Sequence, residues 1–120
     1  MSDNQDRKAD AGKPNVMRGV FLKFPRAMEA IAQTSLLGST KYEVEIDDKN
    51  YQGSSYRRYL DPVGRHLIAH ETDPVSHEEG RGLPPEGMNT YHLASAAWSM
   101  LAALENYLIE RENEGLNHPY

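Results

Sequence analysis

Apolar positions recur at helical spacing in three stretches, separated by polar text rich in Gly, Pro, Asn and Asp. The first stretch predicts a helix from about Pro25 to Leu37. Met28, Ile31, Ala32 and Ser35 share one face, Pro25 suits a helix start, and Gly38 offers a left-handed terminating residue. Ser39 to Ser55 is charged and loop-like, with Asp47, Asp48, Asn50 and Gly53 breaking any period. A second helix is expected from about Ser55 to His70, with Tyr56, Tyr59, Leu60, Val63 and Leu67 as its apolar stripe. Pro62 either kinks it or marks a fresh start capped by Asp61. Glu71 to Gly87 reads as an acidic loop rich in Gly and Pro. The third helix carries the strongest pattern. Asn89 or Thr90 can cap it, and Leu93, Ala97, Met100, Leu101, Leu104 and Leu108 run in register to about Glu112. Its other face, with His92, Ser95, Ser99 and Ala103, is small and polar.

The pattern predicts an all-α fold. Residues 1–12 read as a flexible tail, 13–112 as a single domain and 113–120 as a C-terminal tail. Three helices of this kind bury too little to stand alone comfortably. Apolar surface spread widely around the third helix therefore predicts a small helical bundle completed by homo-oligomerisation, with Trp98 and Met100 in the core or the subunit interface.

Length and composition narrow the class. A chain of 120 residues is one small domain, and a domain of that size buries roughly 65% of its extended surface. With 38% hydrophobic and 26% charged residues it has an ordinary globular composition. No apolar run approaches the length of a membrane span, so no membrane partner is expected. The chain has no cysteine, which excludes disulfides, thiol nucleophiles and cysteine–zinc sites. That absence fits a reducing cytoplasm. The net charge of −5 is unevenly spread: residues 1–65 hold 11 basic and 9 acidic groups, residues 66–120 only 2 basic and 9 acidic. An acidic chain is a poor nonspecific nucleic-acid binder. The asymmetry suits a site holding cations at one end and phosphates at the other.

Candidate chemistry concentrates between His66 and His92. These 27 residues hold four of the five histidines (His66, His70, His77, His92) and five carboxylates (Glu71, Asp73, Glu78, Glu79, Glu86), opposed only by Arg81. Imidazole and carboxylate are the side chains that bind divalent cations and move protons near neutral pH. The competing reading is an acidic, solvated loop with scattered histidines. His66 and His70 stand four apart on one helical face, a spacing that can chelate a metal or leave one ring packed and the other exposed.

Seven short motifs, in order, resemble a known family. Asp10-Ala11-Gly12-Lys13-Pro14, Phe24-Pro25 and Gly38-Ser39-Thr40-Lys41-Tyr42 match D-x-G-K-P, a Pro-opened helix and G-x-x-K-Y. Asn50-Tyr51-Gln52-Gly53 stands where the family has N-W-x-x-G, and Arg57 to His70 is similar to its R-x-Y-x-x-A-x-x-R-H-L-x-A segment. Glu71, Asp73 and Glu79-Gly80 echo G-E-x-x-D-x-E-S-G, and His92 to Trp98 is similar to H-L-A-H-A-A-W. The chain thus resembles the phage dATP/dGTP diphosphohydrolase N-terminal family, related in fold to MazG-like all-α nucleotide pyrophosphohydrolases.

The resemblance implies an oligomeric all-α bundle holding Mg²⁺ (or Mn²⁺) on carboxylates. It would hydrolyse a purine (deoxy)nucleoside triphosphate to monophosphate and pyrophosphate. It also implies roles for residues at matching positions. Glu71, Asp73 and Glu79 are the metal candidates, and His66, Glu71 and Asp73 the catalytic candidates, with His66 alternatively hydrogen-bonding a carboxylate of the acidic loop without itself touching the metal. Lys13, Lys41, Arg65 and His92 are candidates for holding phosphate, and Tyr51, with Tyr56 beside it, for stacking on the base. The sequence departs from the pattern in several places. It contains no E-x-x-E, and its only E-x-x-D is Glu45 to Asp48. Val63-Gly64, Tyr51 and Ser95 replace family residues, and twelve residues, Gly80 to Tyr91, precede His92. Two further classes therefore stay open: a catalytically silent nucleotide-binding sponge, and an acidic adaptor or inhibitor of a host protein.

Overall fold

A computed structural model describes residues 12–76 and 89–117 and is mostly helical. The acidic-loop residues His77, Glu78, Glu79, Arg81 and Glu86 fall outside the described residues, as do 1–11 of the N-terminal tail and 118–120 of the C-terminal one. Three α-helices follow one another: α1 (Pro25–Lys41), α2 (Leu60–Thr72) and α3 (His92–Asn113). A π-helical turn, Met17–Phe21, leads into α1, and two 3₁₀ turns, Asn50–Gly53 and Tyr56–Tyr59, lead into α2. Between α2 and α3 lies a feature the sequence pattern did not announce. β1 (Val75–Ser76) pairs antiparallel with β2 (Thr90–Tyr91), placing Val75 opposite Tyr91 and Ser76 opposite Thr90. Two-residue strands are too short for any alternation to appear in sequence.

The helix boundaries follow from local chemistry. Pro25 sits in the first turn of α1, where its missing N–H costs nothing. The helix does not stop at Gly38; it runs one turn further. Val44 N–H donates to Ser39 O at 3.0 Å and Glu43 N–H to Thr40 O at 3.3 Å, a reverse-turn cap whose left-handed residue is Glu43, at φ 55°. The same pair of bonds closes α3: Leu116 N–H to Arg111 O at 2.9 Å and Gly115 N–H to Glu112 O at 3.0 Å, with Gly115 at φ 74°. One helix therefore ends on glycine and the other on a residue that pays a steric penalty for the same conformation. Glu43→Gly is expected to raise stability by about 0.5–1 kcal/mol, or about 2–4 °C in Tm. Calorimetric melting checks this, and an unchanged or lower Tm contradicts it.

Pro62 produces a fresh start rather than a kink. The Ser55 side chain accepts from Arg57 N–H at 3.3 Å and opens the 3₁₀ turn Tyr56–Tyr59, which tightens the chain just before Leu60. Pro62 then falls in the first turn of α2, where an N–H has no intrahelical acceptor. Asp61 lies inside that turn and does not cap it; the N-cap position belongs to Tyr59. At α3 the cap is likewise neither Asn89 nor Thr90. Tyr91 holds the N-cap position without a side-chain bond, His92 N–H donates to Pro74 O at 2.9 Å, and Thr90 is buried. Backbone from the far side of the ladder takes over the capping role.

The packing of α3 turns its small face inward and its apolar stripe outward. Its buried residues are Ala94, Ala96, Ser99, Ala102, Ala103 and Asn106. Leu93, Met100, Leu101 and Leu104 are each about half exposed, at 46–52%. The small face lets α2, the two 3₁₀ turns and α1 approach α3 closely, and the large apolar face points outward. Aromatic edges fill the remaining space: Tyr51 and Tyr59 stand edge-on to Trp98 at 6.3 and 6.2 Å, and Tyr56 to Tyr107 at 5.2 Å. Among the described residues no side chain is wholly buried. Nor is any described helix long and apolar enough to cross a membrane.

Candidate functional site

The middle of α2 and the start of α3 meet at a polar corner. His66, midway along α2, projects onto His92, the first residue of α3, and the two Nδ1 atoms lie 2.9 Å apart. The rings tilt 37° to each other with centroids at 5.2 Å. Both side chains are half-buried. Two Nδ1 atoms at hydrogen-bond distance share one proton, so one ring donates and the other accepts. In the neutral pair the donor ring's Nε2 is then unprotonated and the acceptor ring's Nε2 carries hydrogen. The pair presents one base and one acid, linked by a hydrogen bond along which a proton can pass.

Two carboxylates follow His66 along the chain. Glu71 is in the last turn of α2 and exposed. Asp73 follows the helix, also exposed, and its Oδ1 accepts from Val75 N–H at 3.0 Å. Because His92 N–H is bonded to Pro74 O, the Asp73–Val75 segment is tied against the start of α3 beside the histidine pair. Among the described residues no three His, Asp or Glu side chains form a ready cluster for a metal ion. Two exposed carboxylates still suit Mg²⁺, an ion that keeps its waters and is usually held by one or two carboxylates together with substrate phosphates. The donor chemistry of Glu71 and Asp73 therefore fits the implied cation. Glu79, the third candidate, lies outside the described residues.

A pocket of about 210 Å³ opens between α1, β2 and α3, lined by Ala27, Ala30, Ile31, Tyr91, Leu93, Ala94, Ala97 and His70. His70 is one turn beyond His66 on α2. Its Nδ1 is buried with no hydrogen-bond partner, so the favourable neutral tautomer carries its proton on Nε2. An engineered cavity of about 150 Å³ accepts benzene, so this volume is ample for a fused planar ring.

The other candidates are dispersed. Arg65 is exposed on α2, next to His66. Lys41 ends α1, roughly 15 Å along the helix from the pocket-lining Ile31, with its Nζ 5.7 Å from the Tyr42 ring centroid. Lys13 is exposed in the segment before the π-helical turn. Tyr51 packs its ring edge on Trp98, and its carbonyl accepts from Asn106 Nδ2 at 2.9 Å. Tyr56 is likewise committed to Tyr107, with the Arg57 guanidinium 5.1 Å from its ring centroid. The structure thus joins His66 to His92, leaves Glu71 and Asp73 further along the chain at the end of α2, and sets Lys41 and Tyr51 along other parts of the molecule. Sequence reasoning missed the pocket, because half of its lining is alanine.

A family model described as dATP/dGTP diphosphohydrolase, N-terminal, matches residues 3–115. The chain belongs to that family. No curated protein and no solved structure matches it. Membership in the diphosphohydrolase N-terminal family spans the α2–α3 corner and every motif named above, including both histidines of the pair.

Proposed function

We propose that this domain binds a purine (deoxy)nucleoside triphosphate at the α2–α3 corner and hydrolyses it to the monophosphate and pyrophosphate. The observation that carries the reading is the 2.9 Å contact between His66 and His92. It unites residues from two separate family-like motifs into a base–acid pair. A water oxygen attacks the α-phosphorus, the bond from that phosphorus to the bridging oxygen breaks, and pyrophosphate leaves with that oxygen. The water proton passes to the unprotonated Nε2 of the pair. Glu71 and Asp73 would hold Mg²⁺ or Mn²⁺, which supplies charge neutralisation for the triphosphate. Arg65 is the nearest phosphate-binding cation in sequence to the pair, and the first turn of α3, free of a side-chain cap, adds backbone N–H groups. The purine ring enters the adjoining apolar pocket, with exposed Tyr91 at its wall. Lys13, Lys41 and Tyr51 reach such a ligand only across a subunit boundary or after rearrangement. The outward apolar face of α3 supports self-association as part of the same reading.

Purified protein with dGTP or dATP and Mn²⁺ is expected to release pyrophosphate above a heat-inactivated control. Glu71→Gln is expected to lower turnover more than nucleotide affinity, the signature of a group acting in the transition state. If nucleotides bind and no pyrophosphate appears, the catalytic reading falls and a nucleotide sponge replaces it. If nucleotides fail to raise the melting temperature with or without metal, the acidic half of the chain points instead to a basic host-protein surface.

A further inference from the structure

We propose that the segment leading into α1 is an arm that docks on the outward face of α3 of a second copy of this chain, each copy giving its arm to the other. The inference rests on the self-association read above and names the surfaces that make it. Two apolar surfaces of the described structure lack a cover. One is the arm, where Val16, Met17, Val20, Phe21, Leu22 and Phe24 are 43–64% exposed and the π-helical turn buries none of its residues. The other is the stripe of Leu93, Met100, Leu101 and Leu104 on α3. Apolar exposure on this scale marks an interaction surface rather than ordinary scatter.

Charge selects the pairing. From residue 12 to residue 26 the chain carries Lys13, Arg18, Lys23 and Arg26 and no acid. On α3, Glu105 and Glu112 stand seven residues apart along one edge of the outward stripe and are exposed, while Arg111, the one Lys or Arg of the helix, is half-buried with its guanidinium bonded to Asn117 O. A basic apolar arm against itself, or an acidic stripe against itself, juxtaposes like charges; arm against stripe does not. Both surfaces belong to one chain, and reciprocal exchange, each copy giving its arm to the other's stripe, is the arrangement that closes the pair as a two-fold dimer rather than an open chain. The arm is also ready to bind. Its backbone is already bonded, by Gly19 N–H to Asn15 O at 2.9 Å and Leu22 N–H to Met17 O at 2.8 Å, so docking orders little more than side chains. Phe24 N–H to Val20 O and Met28 N–H to Phe24 O join the turn to α1, so the arm continues α1 rather than folding back from it.

The native chain has no cysteine, which makes disulfide trapping clean. Leu22→Cys and Leu104→Cys variants, mixed and oxidised, are expected to give a disulfide-linked heterodimer. Light scattering of the unmodified chain is expected to report a dimer at micromolar concentration. Lys23→Glu with Arg26→Glu, and separately Glu105→Lys with Glu112→Lys, are each expected to weaken dimerisation about tenfold. Combining the two variants should restore it. A monomer overturns the arm and the self-association reading together. A dimer that ignores the charge reversals and yields no 22–104 cross-link overturns the arm alone. A Leu22→Cys/Leu104→Cys chain that closes within a monomer shows that the arm covers its own helix, which also overturns the proposal. Pyrophosphate release is read separately and decides nothing about the arm.

Discussion

Replacing Asn106 by aspartate is expected to cost about 3–5 kcal/mol of stability, the range for an uncompensated buried charge. Asn106 is 3% exposed on the inner face of α3. Its Nδ2 donates to Tyr51 O and to Ser54 O, both at 2.9 Å, and this one amide pins the whole 3₁₀ turn Asn50–Gly53 to the helix. Aspartate is nearly the same shape but brings oxygen where nitrogen stood. Two carbonyls would then face a carboxylate at hydrogen-bond distance with no hydrogen between them. Ala at this position removes the donors without adding charge and is expected to cost less, about 2–3 kcal/mol. The aspartate deficit should shrink on acidification, because a protonated acid regains one donor and loses the charge. Urea unfolding at neutral and at acidic pH measures both effects. An aspartate variant within about 1 kcal/mol of the parent would show that the turn is not held by this amide.

Most of the helical architecture is legible in the sequence, because Pro25, Ser55 and the Leu/Met period of residues 93–108 each carry a local physical signal. What a hydrophobic period cannot reveal is which side of a helix faces its own neighbours. The α3 stripe left core and subunit interface both open, and the face turned to the chain's own neighbours is Ala94, Ala96, Ser99 and Ala103, small residues that let helices approach. A large apolar face left outside has the same sequence signature as one turned inside. Asn106 was hidden for a related reason: one amide in a polar-tolerant helix gives no hint that its partners lie 52 and 55 residues earlier. The end of α1 was misplaced because Gly38 looks like a terminator, whereas the left-handed position is Glu43, a residue that rarely adopts it.

At the candidate site, sequence supplied the residue types and structure supplied the pairing. His66 and His92 are 26 positions apart, and no periodicity connects them. Only the Val75–Tyr91 and Ser76–Thr90 ladder, which returns the chain to α2, brings the second ring onto the first. His66 and His70 share the spacing of a chelating pair, but the structure sends them to different tasks. His66 meets His92, and His70 lines the apolar pocket with its Nδ1 buried.

The largest effect on activity is expected at this pair. His66→Phe keeps a ring in the half-buried space and removes both nitrogens, and it is expected to lower kcat about 10²–10⁴-fold, the contribution typical of a positioned general acid or base. His92→Phe should do nearly as much, because it leaves His66 Nδ1 without the partner at 2.9 Å that fixes its tautomer. The double variant is expected to be little worse than either single one, since residues acting as one unit lose their function together. His92→Asn is the informative intermediate: its amide can still hydrogen-bond His66 Nδ1, so turnover should recover in part if His92 serves to orient, and not at all if it carries the proton. Melting temperature is measured alongside turnover. If both phenylalanine variants fold, bind dGTP as tightly as the parent and release pyrophosphate at the parental rate, then the contact between α2 and α3 is packing alone and the base must be sought elsewhere. If the two single losses instead multiply in the double variant, the rings act independently, and the shared proton plays no part in the reaction.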